Sequence, residues 1–349
     1  MNPLTYRQAG VDLAGADAFV QRIKGLAAKT LRPEVLADIG GFAGLCALPS
    51  RYRDPVLVAS TDGVGTKVKI AQQAGRHRGI GVDLVAMSAN DCLVCGAEPL
   101  FFLDYLATGR LDQAVLEEIL AGVAEGCCEA GCALLGGETA QMSDCYGPGE
   151  YDAAGFLVGV VERDRVVDGR TVVPGDAILG LASSGLHSNG FSLARRALLE
   201  RAAYALDATL PPLTRPLADE LLTPTRIYVR AIRPLLEAVP VKAMAHITGG
   251  GLVGNLPRVL PAGCRAILDS SAWVEPAIFG LIERAGQVPA EEMLRVFNLG
   301  IGFVVVVAEA DAGPALDLLA KAGETVVRIG RIVPGERGAE VRHRRGMGG

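Results

Sequence analysis

The chain has 349 residues, a formal net charge of −5, 50% hydrophobic residues and 21% charged ones. That balance excludes a disordered chain, and the length exceeds what one core usually serves, so two α/β domains are expected. The acidic balance and the 5% aromatic content argue against a nucleic-acid surface, which needs a basic field and stacking rings.

The opening residues Met1 to Arg7 contain no apolar signal core. The densest apolar run, Phe303 to Ala308, is far below the roughly 18 residues that a membrane span needs. A soluble, cytoplasmic protein with no membrane partner is expected. One helix is expected near Ala16 to Ala28. Pro55 to Thr61 reads as a buried strand ending in the turn Asp62-Gly63-Val64-Gly65. A helix over 80–96, a strand over 99–107 and a helix over 112–131 follow, the last with Val115, Ile119, Leu120, Val123 and Ala124 at helical spacing. A short strand at 132–135 ends in Gly136-Gly137-Glu138-Thr139, and another strand covers 154–162. Turn signals at Asp168-Gly169 and Pro174-Gly175 place a domain boundary there, giving domains 1–168 and 169–345. The second half repeats a theme of strand, glycine-rich loop and helix. Strand 177–183 precedes helix 191–203, strand 242–248 precedes a helix from Leu252, and 301–308 is a core strand.

Eight cysteines include the pair Cys92 and Cys95 and the cluster Cys127, Cys128 and Cys132. One C-x-x-C without a second pair lacks zinc-ribbon spacing, so these read as small apolar residues in a reducing compartment.

Five segments can carry chemistry. Asp62-Gly63-Val64-Gly65-Thr66-Lys67 follows a buried strand: the acid can hold a cation, the glycines let backbone approach phosphate, and Lys67 can neutralise it. It is not a Walker A loop, because Thr66 precedes Lys67. At about 100° per residue, Asp83 and Asn90 lie about 20° apart on their helix and Asp91 about 80° from Asp83, an oxygen-bearing face suited to Mg²⁺. Gly136-Gly137-Glu138-Thr139 offers a third carboxylate. Ser184-Gly185-Leu186-His187-Ser188-Asn189-Gly190 is a candidate anion loop, with His187 placed to donate to phosphate or to shuttle a proton. His246-Ile247-Thr248-Gly249-Gly250-Gly251 and Asn255 form another. No nucleophile elbow and no dinucleotide fingerprint is present. Three acid sites in the first half and two glycine-rich loops in the second suggest that one half handles metal and nucleotide and the other a phosphorylated substrate.

Across nearly its whole length the sequence resembles the phosphoribosylformylglycinamidine cyclo-ligase (AIR synthetase) family. The resemblance runs through Tyr6-Arg7-Gln8-Ala9-Gly10-Val11-Asp12, Gly40-Gly41-Phe42-Ala43-Gly44, Thr61 to Lys67, Gly96 to Tyr105, Gly136 to Ala140 and Tyr151 to Phe156. It continues through Leu186 to Gly190, Pro224 to Val229, His246 to Gly251 and Phe297 to Gly302. It implies an α/β two-domain homodimer. The N-terminal mixed-sheet domain would dimerise through its sheet into a barrel-like core, with a layered α/β C-terminal domain beside it. It also implies ATP-dependent ring closure of formylglycinamidine ribonucleotide to aminoimidazole ribonucleotide in purine biosynthesis. The γ-phosphoryl group would activate the formamide oxygen and an amidine nitrogen would then close the ring.

On that resemblance Asp62, Asp91 and Glu138 hold Mg²⁺. Lys24, Gly63, Gly65, Thr66, Lys67, Asn90, Gly137 and Thr139 join them around ATP. Ser184, Gly185, His187, Ser188, Asn189, His246, Thr248, Gly249, Gly250, Gly251 and Asn255 face the ribonucleotide. Asp62, Lys67, Asp91, Glu138 and His187 carry catalysis. A selenophosphate synthetase of the same superfamily would need an early catalytic cysteine in a glycine-rich segment, and Cys46 lies outside one.

Overall fold

A computed structural model describes residues 22–37, 40–110 and 112–342. The motif at Tyr6 to Asp12, the start of the expected first helix and the basic tail beyond Arg342 lie outside those residues. Residues 22–27 are helical.

The first half is built on the strands β1 (Pro55–Gly63), β2 (Glu98–Thr108), β3 (Ala133–Gln141) and β4 (Tyr151–Glu162), in the order β1-β4-β2-β3. The β1/β4 and β4/β2 pairs are antiparallel and β2/β3 is parallel. Three helices accompany the sheet: α1 (Lys67–Ala74), α2 (Arg78–Val94) and α3 (Gln113–Ala130). The α3 helix starts where Asp112 Oδ1 accepts from the Ala114 and Val115 amides, and ends at left-handed Gly131. It buries Leu116, Ile119, Leu120 and Val123. Helices α2 and α3 touch backbone to backbone. A Cβ on Gly81 would stand 1.9 Å from the Ile119 carbonyl oxygen, and one on Gly122 1.9 Å from that of Arg78. The sheet face away from the helices carries exposed Leu57, Tyr105 and Phe156.

Residues 163–176 lead from this sheet to a second one, ordered β10-β7-β9-β5-β8-β6. Its strands are β5 (Ala177–Ala182), β6 (Val241–His246), β7 (Cys264–Asp269), β8 (Ile301–Val307), β9 (Val326–Pro334) and β10 (Gly338–Arg342). All pairs are antiparallel except β10/β7. Every residue of β8 is buried, as its unbroken apolar run requires of a strand covered on both faces. The helices here are α4 (Phe191–Arg195, running on as a π-helix to Arg201), α5 (Leu217–Leu222), α6 (Val229–Ala238), α7 (Gly251–Asn255), α8 (Ala277–Gly286), α9 (Ala290–Val296) and α10 (Ala312–Lys321).

The protein is therefore a mixed α/β molecule; among the described residues it has two sheets, and neither closes on itself. Two expected turns are strand instead. β1 runs through Asp62 and Gly63, and β3 runs through Gly136, Gly137, Glu138 and Thr139 to Gln141. Glycine weakens a strand but does not end it when neighbours on the ladder hold it. Among the described residues no helix is long and apolar enough to cross a membrane.

Candidate functional site

Helix α2 carries a stripe that faces the second half, as the angular spacing of Asp83, Asn90 and Asp91 anticipates. Asp83 accepts from the Thr225 amide at 2.7 Å and from its hydroxyl at 2.6 Å. Met87 lies against Asn189. Asn90 accepts from the Tyr228 amide and donates to the Arg226 carbonyl. Asp91 Oδ1 meets His246 Nδ1 at 2.9 Å. The face is real, but its use differs from that of a cation site: Asp83 and Asn90 are fully buried and spent on the segment 223–228.

Two acids remain for a ligand. Asp62, at the end of β1, is half-buried, and its Oδ1 accepts from the Gly63 amide. Ser60, two residues earlier on the same strand face, reaches Asp91 Oδ2 at 3.5 Å. Burial, and then the charge of Asp91, hold the Asp62 carboxyl above the usual carboxylate range, while the Gly63 amide acts the other way. A buried carboxylate whose charge is opposed by a neighbouring acid is relieved by a bound cation.

Glu138 does not join them within one chain. The ladder places Asp62, Gly155, Asp104 and Gly137 in one row, and Gly63, Ala154, Tyr105 and Glu138 in the next. Successive residues alternate faces. Asp62 therefore looks toward the helices, while Glu138 and Tyr105 stand exposed on the open face. Among the described residues no three His, Cys, Asp or Glu side chains group as a metal site. Of the three carboxylates expected from sequence, one chain thus brings together Asp62 and Asp91 and leaves Glu138 on the other face.

Lys67 is corrected as well. The sequence aims it at a phosphate, but its ammonium is wholly buried, 2.7 Å from Asp83 Oδ2, and donates to the carbonyls of His187 (3.0 Å) and Thr223 (2.8 Å). His187 is 1% exposed, so its ring is sealed from any ligand rather than displayed to one. Its Nε2 accepts from the Ser184 amide, which leaves the proton of the neutral ring on Nδ1. Burial, followed by the nearby His246, Lys67 and Arg226, pushes its pKa well below the usual histidine value. Asn255 is likewise internal: it ties Thr248 to Gly251 and so closes its own loop.

What remains open are the loops. Gly65 (φ 67°) has no neighbour within 4 Å of an added Cβ, and Thr66 is exposed with its hydroxyl 3.1 Å from that of Ser192. Asn189 lies beside Gly249, where a Cβ would stand 3.5 Å from Asn189 Oδ1. The 184–190 and 248–251 loops are therefore neighbours, flanking the Asp91–His246 contact. Ser188 bonds Thr225 at 3.3 Å. Gly250 and Gly251 both have positive φ, and a Cβ on Gly251 would stand 2.1 Å from the Leu294 carbonyl oxygen. Lys24 lies elsewhere, with its ammonium end 3.2 Å from a Cβ position on Gly40.

The sequence reading misses Asp104. It is buried on the row of Asp62, with its carboxyl against Gly137. Burial, with Glu138 adding to it, pushes its pKa up to about 7. The signal is visible in retrospect: an acid interrupts the apolar strand Leu100 to Leu106. Thr225 leaves no such signal. Cys92, Cys127, Cys132 and Cys264 are buried thiols, while Cys128 and Cys145 are exposed; burial pushes Cys92 up to about 12.

Residues 45–161 match the family model described as AIR synthase related protein, N-terminal domain, and residues 173–342 match the model of its C-terminal domain. The chain belongs to the AIR synthase-related family. Among curated family members it is 58% identical over 333 residues to the phosphoribosylformylglycinamidine cyclo-ligase of Myxococcus xanthus (strain DK1622), covering 95% of this chain and 96% of that one. It is 54% identical to the one of Citrifermentans bemidjiense, covering 97% of each. The family fold is shared with the thiamine-monophosphate kinase of Stenotrophomonas maltophilia K279a (TM-score 0.67, 21% identity, 93% of this chain and 96% of that one). It is also shared with the hydrogenase maturation protein HypE in complex with ATP (TM-score 0.61, 19% identity, 94% and 90%).

Proposed function

We propose that this AIR synthase-related chain closes the imidazole ring of aminoimidazole ribonucleotide from formylglycinamidine ribonucleotide, with ATP converted to ADP and phosphate. The enzyme is an ATP-dependent cyclo-ligase of purine biosynthesis. The observation that carries the reading is the convergence of Asp62 and Asp91 with the two glycine-rich loops across the two halves, in a chain 58% identical to a named cyclo-ligase. The likeness to thiamine-monophosphate kinase, at 21% identity, speaks for the fold alone.

A formamide oxygen leaves poorly. Transfer of the γ-phosphoryl group to it makes a phosphate leaving group, and attack by an amidine nitrogen of the same molecule forms the C–N bond and releases phosphate. Such chemistry rests on positioning and charge neutralisation rather than on a protein nucleophile. Mg²⁺ is commonly bound by one or two carboxylates together with substrate phosphates, so Asp62 and Asp91 suffice as the chain's share. Its contribution when bound is to neutralise the triphosphate. Gly65 and Thr66 offer backbone and hydroxyl beside it, and Gly185, Ser188, Asn189 and Gly249 offer polar groups to the ribonucleotide. The division of labour is drawn at residues 168 and 169.

The chain acts as a homodimer in this reading. The open face of β1-β4-β2 exposes Leu57 (58%), Tyr105 (42%) and Phe156 (38%), and a second copy laid on it would complete a barrel-like core. Glu138 stands on that same face, so a nucleotide held near the junction of two copies is the one it can serve. A cytoplasmic location agrees with the free thiols of all eight cysteines. The test is incubation with formylglycinamidine ribonucleotide, ATP and Mg²⁺. ADP and the imidazole product should form in equal amounts, and ADP without imidazole would refute the assignment.

A further inference from the structure

Lys67 is a cation that the ring-closure chemistry leaves unused, yet it lies where α2, the 184–190 loop and the segment at Thr223 meet. Its ammonium is neutralised by Asp83 at 2.7 Å, and the pair is fully buried. A neutral pair exerts little field on a ligand, so its effect on the site must be geometric. The geometry is specific: the ammonium donates to the carbonyl of His187, whose φ of 61° lies in the left-handed region that non-glycine residues seldom occupy.

In a trans peptide the carbonyl of one residue and the amide of the next point in opposite directions. Among the described residues the only cis bond is Pro211-Pro212, so the His187-Ser188 peptide is trans. Lys67 draws the His187 carbonyl into the interior and thereby turns the Ser188 amide away from it, on the loop whose next residue, Asn189, lies beside Gly249. Asn298 does the same two residues earlier, donating to the Gly185 carbonyl at 2.9 Å and so turning the Leu186 amide. Two amides of one loop turned the same way, those of Leu186 and Ser188, offer an anion paired donors.

We propose that Lys67 is a positioning residue for the ribonucleotide phosphate, acting through the His187-Ser188 peptide rather than by touching a phosphate itself. Asp83 completes the device. It anchors the ammonium to α2, and through Thr225 and its bond to Ser188 it braces the loop from a second side. Asp91 lies eight residues further along the same helix, about 12 Å along its axis. The helix thereby fixes the separation between the phosphate loop and a metal-binding carboxylate.

The proposal rests on the ring-closure reading, so wild-type turnover is measured first, and an inactive wild type counts against that reading. The variant is the double substitution Lys67→Met with Asp83→Asn, which removes both buried charges together and leaves no unpaired ion. If it is folded by circular dichroism, its KM for formylglycinamidine ribonucleotide should rise about tenfold or more while its KM for ATP stays within about twofold. An unchanged ribonucleotide KM would reduce Lys67 to a structural role, and a rise confined to ATP would return it to the nucleotide; either overturns the proposal. The loop is also tested in the wild-type protein. The Ser188 amide resonance should shift on titration with ribose 5-phosphate and stay in place with ATP alone, and a Ser188 amide indifferent to ribose 5-phosphate overturns the proposal even if the double variant fails to fold.

Discussion

His246 Nδ1 donates to Asp91 Oδ1 at 2.9 Å, joining the last residue of β6 in one half to helix α2 in the other. Asp91, proposed above to serve the nucleotide, is thus held by a residue of the second half. Asp62→Asn should lower turnover about 100-fold or more with circular dichroism unchanged, because a neutral amide cannot share a cation's charge. Since Asp62 titrates above the ordinary carboxylate range, Mg²⁺-dependent ATP affinity should weaken as pH falls, beginning at a higher pH than for an unperturbed carboxylate. Calorimetric titration across pH checks the sign.

Gly249 and Gly251 separate binding from folding. Gly251 has φ 58° and a Cβ there would stand 2.1 Å from a backbone oxygen, so Gly251→Ala should cost about 3 kcal/mol or more. Gly249→Ala meets only Asn189 Oδ1, at 3.5 Å. It should change stability by less than about 0.5 kcal/mol yet raise the KM for the ribonucleotide. Thermal melts beside kinetics distinguish the two.

Phe156 and Leu57 test the proposed dimer. Phe156→Glu places a charge in the middle of the open sheet face and should convert a dimer to a monomer in sedimentation velocity. Turnover should fall with it, since Glu138 on that face would lose the second copy. Glu138→Gln should lower turnover while leaving the mass unchanged.

Glu98 is 4% exposed and binds Arg32, Arg51, Tyr52 and Arg233. Burial raises its pKa, but hydrogen bonds from Arg51, Arg32 and Tyr52 outweigh that and hold it at about 2. A depressed acid stabilises the fold above its unfolded value and loses that contribution as pH falls. Glu98→Gln should therefore cost about 3 kcal/mol at pH 7. The difference from wild type should shrink as the pH falls from about 4.5 toward 2. Denaturant titrations at several pH values measure it.

Asp104 has the opposite sign. With its pKa pushed up to about 7, it is easier to ionise in the unfolded chain, so it lowers stability progressively from about pH 4 to 7. Asp104→Asn should raise the melting temperature at pH 8 and hardly at all at pH 4.

The sequence announces what short-range rules govern. The apolar run of β8 and the spacing of α3 are each set by residues close in the chain. So is the polar stripe of α2, read correctly as a face. What it faces is not local. Asp83 and Lys67 both look like ligand residues until the fold brings Thr225, Thr223 and the His187 carbonyl to them from more than a hundred residues away. Glu138 stands apart from Asp62 and Asp91 within one chain for a related reason. A strand continuing through two glycines shifts the site from a turn to a ladder, and the ladder's alternation decides the face. The C-x-x-C is the converse case, since its spacing carries no meaning once Cys92 is sealed in the core.

Gly155 sits on β4 between Asp62 and Asp104 on the cross-strand row. A methyl group there would stand 2.3 Å from the Phe102 ring and 3.1 Å from Leu84 of α2. The smallest residue on the sheet thus lets the helix settle to its full depth. Had the position carried any side chain, α2 would ride higher on the strands and lift Asp91 away from Asp62, so the spacing of the two acids proposed to share one ion is set by an atom that is not there.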